Sequence, residues 1–278
     1  MPKYLNLISY FGGKYLHLPW LLDKFPKGNY HFVDAMCGAA NVALNVNYPL
    51  ITINDLNDNV INLFKVMRDD PDELLRRIYF TPFARAEINS LITDFNDITC
   101  PIERARRFYV RSQLGYGANG SQNNHKGFGS EYKIQPSNFY RVDNWNLKFR
   151  KFADIVQKLR EIQIENRDVF DLIDRVNSPD VILYIDPPYL FSTRSSRKRY
   201  THEWDEAMHI RLAEKVSNAR CFVANSGYDS DLYNDLYKVF HKTTGKLQRV
   251  SVKKKLNREI LWSNYDPTFT KGVMKLFN

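Results

Sequence analysis

The sequence predicts an α/β fold, a doubly wound and largely parallel sheet of seven strands interrupted by a mostly helical insert. Three observations predict it. Seven short apolar runs recur along the chain, with helically spaced stretches between most of them. Acidic residues stand directly after several of these runs, where ligands of open α/β sheets bind. One long interval, 68–150, breaks the alternation.

The runs expected as strands are His31–Ala35, Ile51–Asn54, Ile162–Asn166, Val181–Asp186, Cys221–Asn225, Lys238–Lys242 and Glu259–Asn264. Asn57–Met67, Ile155–Leu159 and Glu206–Val216 have the 3.6-residue spacing of helices between them. Such alternation implies right-handed crossovers. The last two runs are separated by the basic stretch Lys246–Arg258 and no convincing helix, so an antiparallel pair with a basic connecting loop is expected. Within 68–150, Pro71–Ile78, Phe83–Phe95 and Pro101–Leu114 read as helices. Gly115–Gly129 is too rich in turn formers to be a core element. The expected division is therefore a main domain of residues 1–67 and 151–278, with 68–150 an inserted helical subdomain.

The chain has 278 residues, 44% of them hydrophobic, which is enough for a full core. No apolar run reaches the roughly 18 residues of a membrane span, and Met1–Tyr15 lacks the pattern of a signal peptide. Three widely spaced cysteines, Cys37, Cys100 and Cys221, fit neither a disulfide framework nor a zinc site. An intracellular, cytoplasmic setting is expected. The net charge is +9, and it is segregated. Residues 101–151, 189–204 and 246–258 together carry +16, leaving −7 for the remainder. Segregation of this kind suits a polyanion such as a nucleic acid better than a generic solvated surface does. The six histidines lack metal-ligand spacing, so no metal is expected.

Asp186-Pro187-Pro188-Tyr189 follows the run Val181–Ile185 directly. Two prolines fix two successive φ angles and remove two amide donors. They can hold the Pro187 carbonyl rigidly beside the Asp186 carboxylate. Two fixed acceptors are what a primary amine on an aromatic ring needs, because its lone pair is delocalised into the ring. Accepting both hydrogens favours a pyramidal nitrogen and frees the lone pair for attack on a sulfonium methyl group. Tyr189 offers a π-face for an extruded base, a contact of roughly 1–3 kcal/mol. A strand-end turn with an incidental tyrosine is the simpler alternative, but all four residues at one strand end fit it poorly.

These motifs, in their order and spacing, make the sequence resemble the Dam-like adenine-N6 DNA methyltransferases. The resemblance runs from about Tyr10 to Tyr265. It rests on Tyr10-Phe11-Gly12-Gly13-Lys14, Phe32-Val33-Asp34-Ala35-Met36-Cys37-Gly38, Ile53-Asn54-Asp55, Asn166-Arg167-Asp168 and the Asp-Pro-Pro-Tyr quartet. Asn225-Ser226-Gly227-Tyr228 and Arg258-Glu259-Ile260-Leu261-Trp262 also match. The resemblance implies a Rossmann-like methyltransferase sheet, S-adenosylmethionine as cofactor and double-stranded DNA as substrate. A cognate restriction enzyme is a possible partner.

Residue by residue, the resemblance implies that Tyr10 and Lys14 line the methionine end of the cofactor, with Lys14 near its carboxylate. Asp34 and Gly38 form the turn after the first strand, Asp55 accepts the ribose hydroxyls, and Asp168 bonds the cofactor's adenine amine. Val169 or Phe170 packs beside that ring. Asp186, Pro187 and Tyr189 are the catalytic set, and Asp186 also borders the cofactor. Arg194, Arg197, Lys198 and Arg199 contact phosphates around an extruded adenine. Arg106, Arg107, Arg111 and the Asn119–Lys126 loop supply groove readout. Met36, Ala39 and Ala40 depart from the family's usual first motif, a change that small or apolar side chains tolerate.

Other readings compete. An RNA adenine methyltransferase would share the charge, though the resemblance extends through the insert. Enzymes acting on cytosine N4 or a glutamine amide usually carry Ser or Asn where Asp186 stands. A catalytically silent DNA-binding protein would not need Asp186, Asp55 and Lys14 intact. A Mg²⁺-dependent hydrolase would leave the two prolines without a role.

Overall fold

In the computed structural model, residues 4–91, 95, 97–115, 128, 141–193, 202–249 and 256–268 are described. Seven strands, β1 (His31–Asp34), β2 (Leu50–Asn54), β3 (Ile162–Glu165), β4 (Val181–Ile185), β5 (Phe222–Tyr228), β6 (His241–Arg249) and β7 (Leu256–Ser263), form one sheet. Its order is β3-β2-β1-β4-β5-β7-β6. The first five strands are mutually parallel, and β7 runs antiparallel to both β5 and β6.

Both faces of the sheet are covered, so its central strands read as unbroken apolar runs. Every residue of β4 is buried. Along β1 and β4 the pleat divides the core in two. Phe32, Ile182 and Tyr184 belong to one cluster, Val33, Leu183 and Ile185 to the other. The first face is covered by α1 (Leu18–Leu21), α2 (Asp58–Asp69), α3 (Pro71–Tyr79), α4 (Arg85–Ser90), α5 (Pro101–Leu114) and α7 (Phe152–Arg160). The short α6 (Arg141–Lys148) adds Trp145 to the same cluster. The second face is covered by α8 (Val169–Val176), α9 (Glu206–Ser217) and α10 (Asp231–Leu236).

Helix starts are set by local chemistry. The side chains of Asn57, Asp168, Asp205 and Ser230 accept backbone amides at the N-termini of α2, α8, α9 and α10. Pro71 and Pro101 occupy the first turns of α3 and α5, where their missing N–H costs nothing.

Several expected boundaries move. The run Lys238–Lys242 becomes a turn followed by β6, because the Phe240 amide donates to the Tyr237 carbonyl and delays the strand to His241. The basic stretch Lys246–Arg258 is not all loop, since β6 extends to Arg249 and β7 begins at Leu256. Among the described residues of the expected helix Phe83–Phe95, only Arg85–Ser90 are helical, and there the Ser90 hydroxyl bonds back to the Glu87 carbonyl. Helices α8 and α10 were not expected; their shortness hides them between strands. Helices α3 and α5 pack against α2, and Leu74 and Phe108 share a buried cluster with Phe32 and Ile53. Among the described residues, the helices of 68–150 extend a layer of the sheet's own core.

Candidate active site

The register of the sheet brings the motif residues to one edge. Asp34 pairs with Ile53 and Tyr184, Asn54 with Glu165, and Ile185 with Asn225, so the residues that follow emerge together at the carboxyl ends of β1 to β5. Because β7 runs the other way, Glu259 near its start lies opposite Tyr228, at the same edge. A cleft opens there, with about 980 Å³ of empty space including its mouth. Tyr10, Lys14, Asp34, Gly38, Asp55, Asp168 and Asp186, the whole expected cofactor set, line it.

One wall is stitched by backbone contacts. Gly38 has φ +48°, and a Cβ there would come within 2.8 Å of the Tyr10 ring. Only glycine adopts this conformation freely while letting the ring approach. The Gly38 amide donates to Asp55 Oδ2 at 2.8 Å, and the Asn57 amide to Asp55 Oδ1 at 2.8 Å. Asn54 Nδ2 donates to the Ala35 and Arg167 carbonyls, and its Oδ1 accepts the Arg167 amide. The three turns after β1, β2 and β3 are thereby tied together. Asp168 caps α8 by accepting the Phe170 amide at 2.8 Å, so its line-up with the cleft is combined with a structural task. Val169 lines the cleft, whereas Phe170 stacks on Trp204 at 6.0 Å.

The opposite wall carries a buried charge network. Lys14, 3% exposed, donates to Asp186 Oδ2 at 2.5 Å and to the Gly12 carbonyl at 3.0 Å. Its Nζ is 3.7 Å from Glu259 Oε1. Ser226 Oγ donates to the other Asp186 oxygen, Oδ1, at 3.0 Å. The Tyr189 hydroxyl donates to Glu259 Oε1 at 2.5 Å. Tyr189 is itself buried, with Tyr228 edge-on at 4.4 Å and Lys14 Nζ 4.8 Å from its ring centre. It does not line the cleft in this arrangement, and neither does Pro187; Pro188 does.

Burial raises all three acids of the network. Asp34 is pushed up to about 8 by desolvation and by Asp186, and its Oδ1 lacks a partner among the described residues. Glu259 is pushed up to about 7 by desolvation, against the pull of Lys14. Asp186 is raised by desolvation, and Lys14 opposes the shift. Burial alone would lower Lys14, but Asp186 and Glu259 outweigh it and raise the ammonium's pKa. A cationic ligand entering beside these raised acids would favour their charged forms.

The expected DNA contacts divide. Arg106 bonds Glu103 through two nitrogens at 2.8 and 2.9 Å, and Thr81 at 3.0 Å. Arg107 shares Glu103 at 2.8 Å. Arg111 is 5% exposed, its guanidinium 3.9 Å from the Phe95 ring. The described partners of these arginines brace α5. Asn119, Lys126, Arg194, Arg197, Lys198 and Arg199 lie outside the described residues, as do Lys253, Lys254 and Lys255.

Sequence reasoning gave no role to Glu259, Ser226, His202 or Trp204. Glu259 had one local signal, a lone acid at the start of the apolar run Ile260-Leu261-Trp262. His202 and Trp204 line the cleft from beyond the catalytic quartet and had none. Among the described residues no cluster of His, Cys, Asp or Glu could hold a metal, and no helix is long and apolar enough to cross a membrane.

The family model for D12 class N6 adenine-specific DNA methyltransferases matches residues 10–256. A modification methylase, StsI, of Streptococcus sanguinis is 27% identical over 76% of this chain, and the chain spans only 33% of its length. The type II methyltransferase M1.LlaDCHI of Lactococcus lactis subsp. cremoris is 25% identical over 91% of this chain and 93% of its own. A DNA adenine methylase of Salmonella typhi is 26% identical over 90% of each.

Proposed function

Because the chain belongs to the D12 class of N6 adenine-specific DNA methyltransferases, its reaction is methyl transfer to adenine N6 in DNA, and we propose that the donor is S-adenosylmethionine bound in the cleft beside Asp186. The observation that carries this reading is the convergence on one cleft of all seven expected cofactor residues, the catalytic carboxylate of Asp186 among them. The residues fit the group. The buried Asp34, whose Oδ1 has no partner among the described residues and whose pKa burial pushes up to about 8, would be drawn to its charged form beside a ligand bearing an ammonium and a sulfonium. The Gly38 turn gives the close backbone approach such a ligand needs. Asp55 would hold its ribose hydroxyls, Asp168 its adenine amine, and Tyr10 and Lys14 its methionine end. When bound, the cofactor supplies a methyl group on a positively charged sulfur.

The chain's own work is to prepare the nucleophile. Asp186 and the Pro187 carbonyl accept the two hydrogens of the target amine, drawing its lone pair out of conjugation. Ser226 holds Oδ1 and so fixes the orientation of the carboxylate. Contacts of this kind strengthen as the nitrogen gains positive charge, so they act on turnover more than on affinity. An adenine in duplex DNA reaches such a cleft only by flipping out of the stack. Arg194, Arg197, Lys198 and Arg199 would then hold the phosphates around it. Residues 68–150, with Asn119 and Lys126, would read the site. Relatives named as modification methylase and type II methyltransferase support a cognate restriction enzyme as partner.

The test is Asp186→Ala, assayed with labelled cofactor and duplex DNA carrying the wild-type enzyme's site. Methyl transfer should be abolished while DNA affinity, measured in parallel, stays near wild type. Near-normal turnover would sink the mechanism.

A further inference from the structure

Asp186 carries a donor on each of its carboxylate oxygens. Its Oδ1 receives the Ser226 hydroxyl at 3.0 Å and its Oδ2 the Lys14 ammonium at 2.5 Å. A carboxylate engaged on both oxygens by strong donors is a poor acceptor for the weakly polar hydrogens of an aromatic amine. The Lys14 bond also withdraws the negative charge that should stabilise the developing positive charge on nitrogen. Moving Lys14 off Oδ2 would therefore strengthen Asp186 as an acceptor for the amine.

The structure shows where it can go. Glu259 Oε1 is 3.7 Å from Lys14 Nζ, and Glu259 is 1% exposed. Its strand partner is Tyr228, and its Oε1 holds the Tyr189 hydroxyl at 2.5 Å. His17 Nε2, 3.7 Å from Oε2, has a pKa lowered to about 4 by burial and by Lys14, so it is neutral near pH 7 and supplies no competing charge. A buried carboxylate without a cation is costly. Glu259 is thus a counter-ion kept within about one ångström of full contact with an ammonium now bonded elsewhere. A small rotation of the Lys14 side chain closes that gap and opens the other.

We propose that Glu259 is the positioning residue that draws Lys14 off Asp186 when the target adenine arrives, freeing the carboxylate oxygen that must accept the amine. The exchange rests on the reading of Asp186 as that acceptor. It keeps Lys14 paired throughout, and Asp186, losing its cation, keeps the Ser226 hydroxyl on Oδ1 and gains a hydrogen of the amine. Because Glu259 also anchors Tyr189, the same carboxylate fixes the last residue of the catalytic quartet.

Glu259→Gln tests it. The amide keeps the shape and an oxygen acceptor for Tyr189 but cannot attract the ammonium. Single-turnover methyl transfer should slow by about 10²-fold, while KM for DNA and the cofactor Kd change by less than about threefold. In a Lys14→Gln background, the second change to Glu259→Gln should have no further effect on rate, because the residue acts through Lys14. An equal slowing in both backgrounds, or none in either, overturns the proposal. If Glu259→Gln does not fold, a crystal structure of the wild-type chain with S-adenosylhomocysteine and its duplex DNA decides. Lys14 should then contact Glu259 and not Asp186. An adenine amine on Asp186 with Lys14 still bonded to Oδ2 overturns the exchange and leaves the catalytic reading intact. An amine bound away from Asp186 overturns both.

Discussion

Ser226 Oγ donates to Asp186 Oδ1 at 3.0 Å, and the buried Tyr184 hydroxyl lies 3.0 Å from that same Ser226 oxygen. The serine passes the orientation of two neighbouring strands, β4 and β5, to the catalytic carboxylate. Ser226→Ala leaves the buried Tyr184 hydroxyl without its partner and Asp186 free to turn. Stability should fall by about 1–3 kcal/mol, and turnover should fall with DNA affinity unchanged. Urea unfolding and methyl-transfer kinetics on the same preparation check both. A variant with wild-type turnover would remove Ser226 from the mechanism.

Asp55 holds two backbone amides, those of Gly38 and Asn57. Asp55→Ala should lower S-adenosylmethionine affinity by about 1.5–3 kcal/mol for each charged hydrogen bond lost. It should also loosen the turn that Gly38 makes. Isothermal titration calorimetry on the folded variant gives the answer, and unchanged affinity would move the ribose elsewhere.

Asp34 links cleft chemistry to pH. Its carboxyl is raised from 3.8 to about 8 by burial and Asp186. Between those values the folded chain holds a proton that the unfolded chain has released. The stability this group contributes is therefore full below pH 3.8 and is lost as pH rises toward 8. Asp34→Asn should flatten that part of the curve. Denaturant midpoints at pH 5, 7 and 9, without cofactor or DNA, should fall more steeply for wild type than for the variant. Parallel curves would show that Asp34 titrates normally.

Arg111 separates bracing from DNA binding. With its guanidinium buried over Phe95, Arg111→Ala should cost ~2 kcal/mol of stability through the lost cation–π contact. The slope of log Kd for DNA against log salt should not change. An arginine that neutralises a phosphate would instead reduce that slope by about 0.9. A reduced slope with unaltered stability would restore Arg111 to the DNA interface.

Much of this site was legible because it is local in the chain. Asp34, Asp55 and Asp186 stand at or just after strands, and a strand end fixes where its next residue points. The start of α5 at Pro101 and its end at Leu114 were equally readable, because proline and glycine punctuate them. Glu259 was not readable in the same way. It sits 245 residues from Lys14 and 70 from Tyr189, and only the antiparallel entry of β7 between β5 and β6 brings it to the catalytic edge. The bracing task of the α5 arginines was hidden for the converse reason. Charge counted along a sequence does not record that Glu103, three and four residues before Arg106 and Arg107, bonds both. The start of β6 was misplaced because Val239 and Phe240 have strand-like composition but close a turn after α10.

The order β5-β7-β6 has a consequence for synthesis on the ribosome. β6 emerges before β7 but has no place beside β5, because β7 lies between them. It must wait, or pair with β7 as a hairpin that docks as a unit. A nascent chain halted before residue 256 would contain the complete Asp186-Pro187-Pro188-Tyr189 quartet and its lysine, yet lack the carboxylate that balances them. It would also present β5 as an open edge, the kind of surface that recruits stray strands. Chemical competence and protection from aggregation thus arrive together, with the same strand.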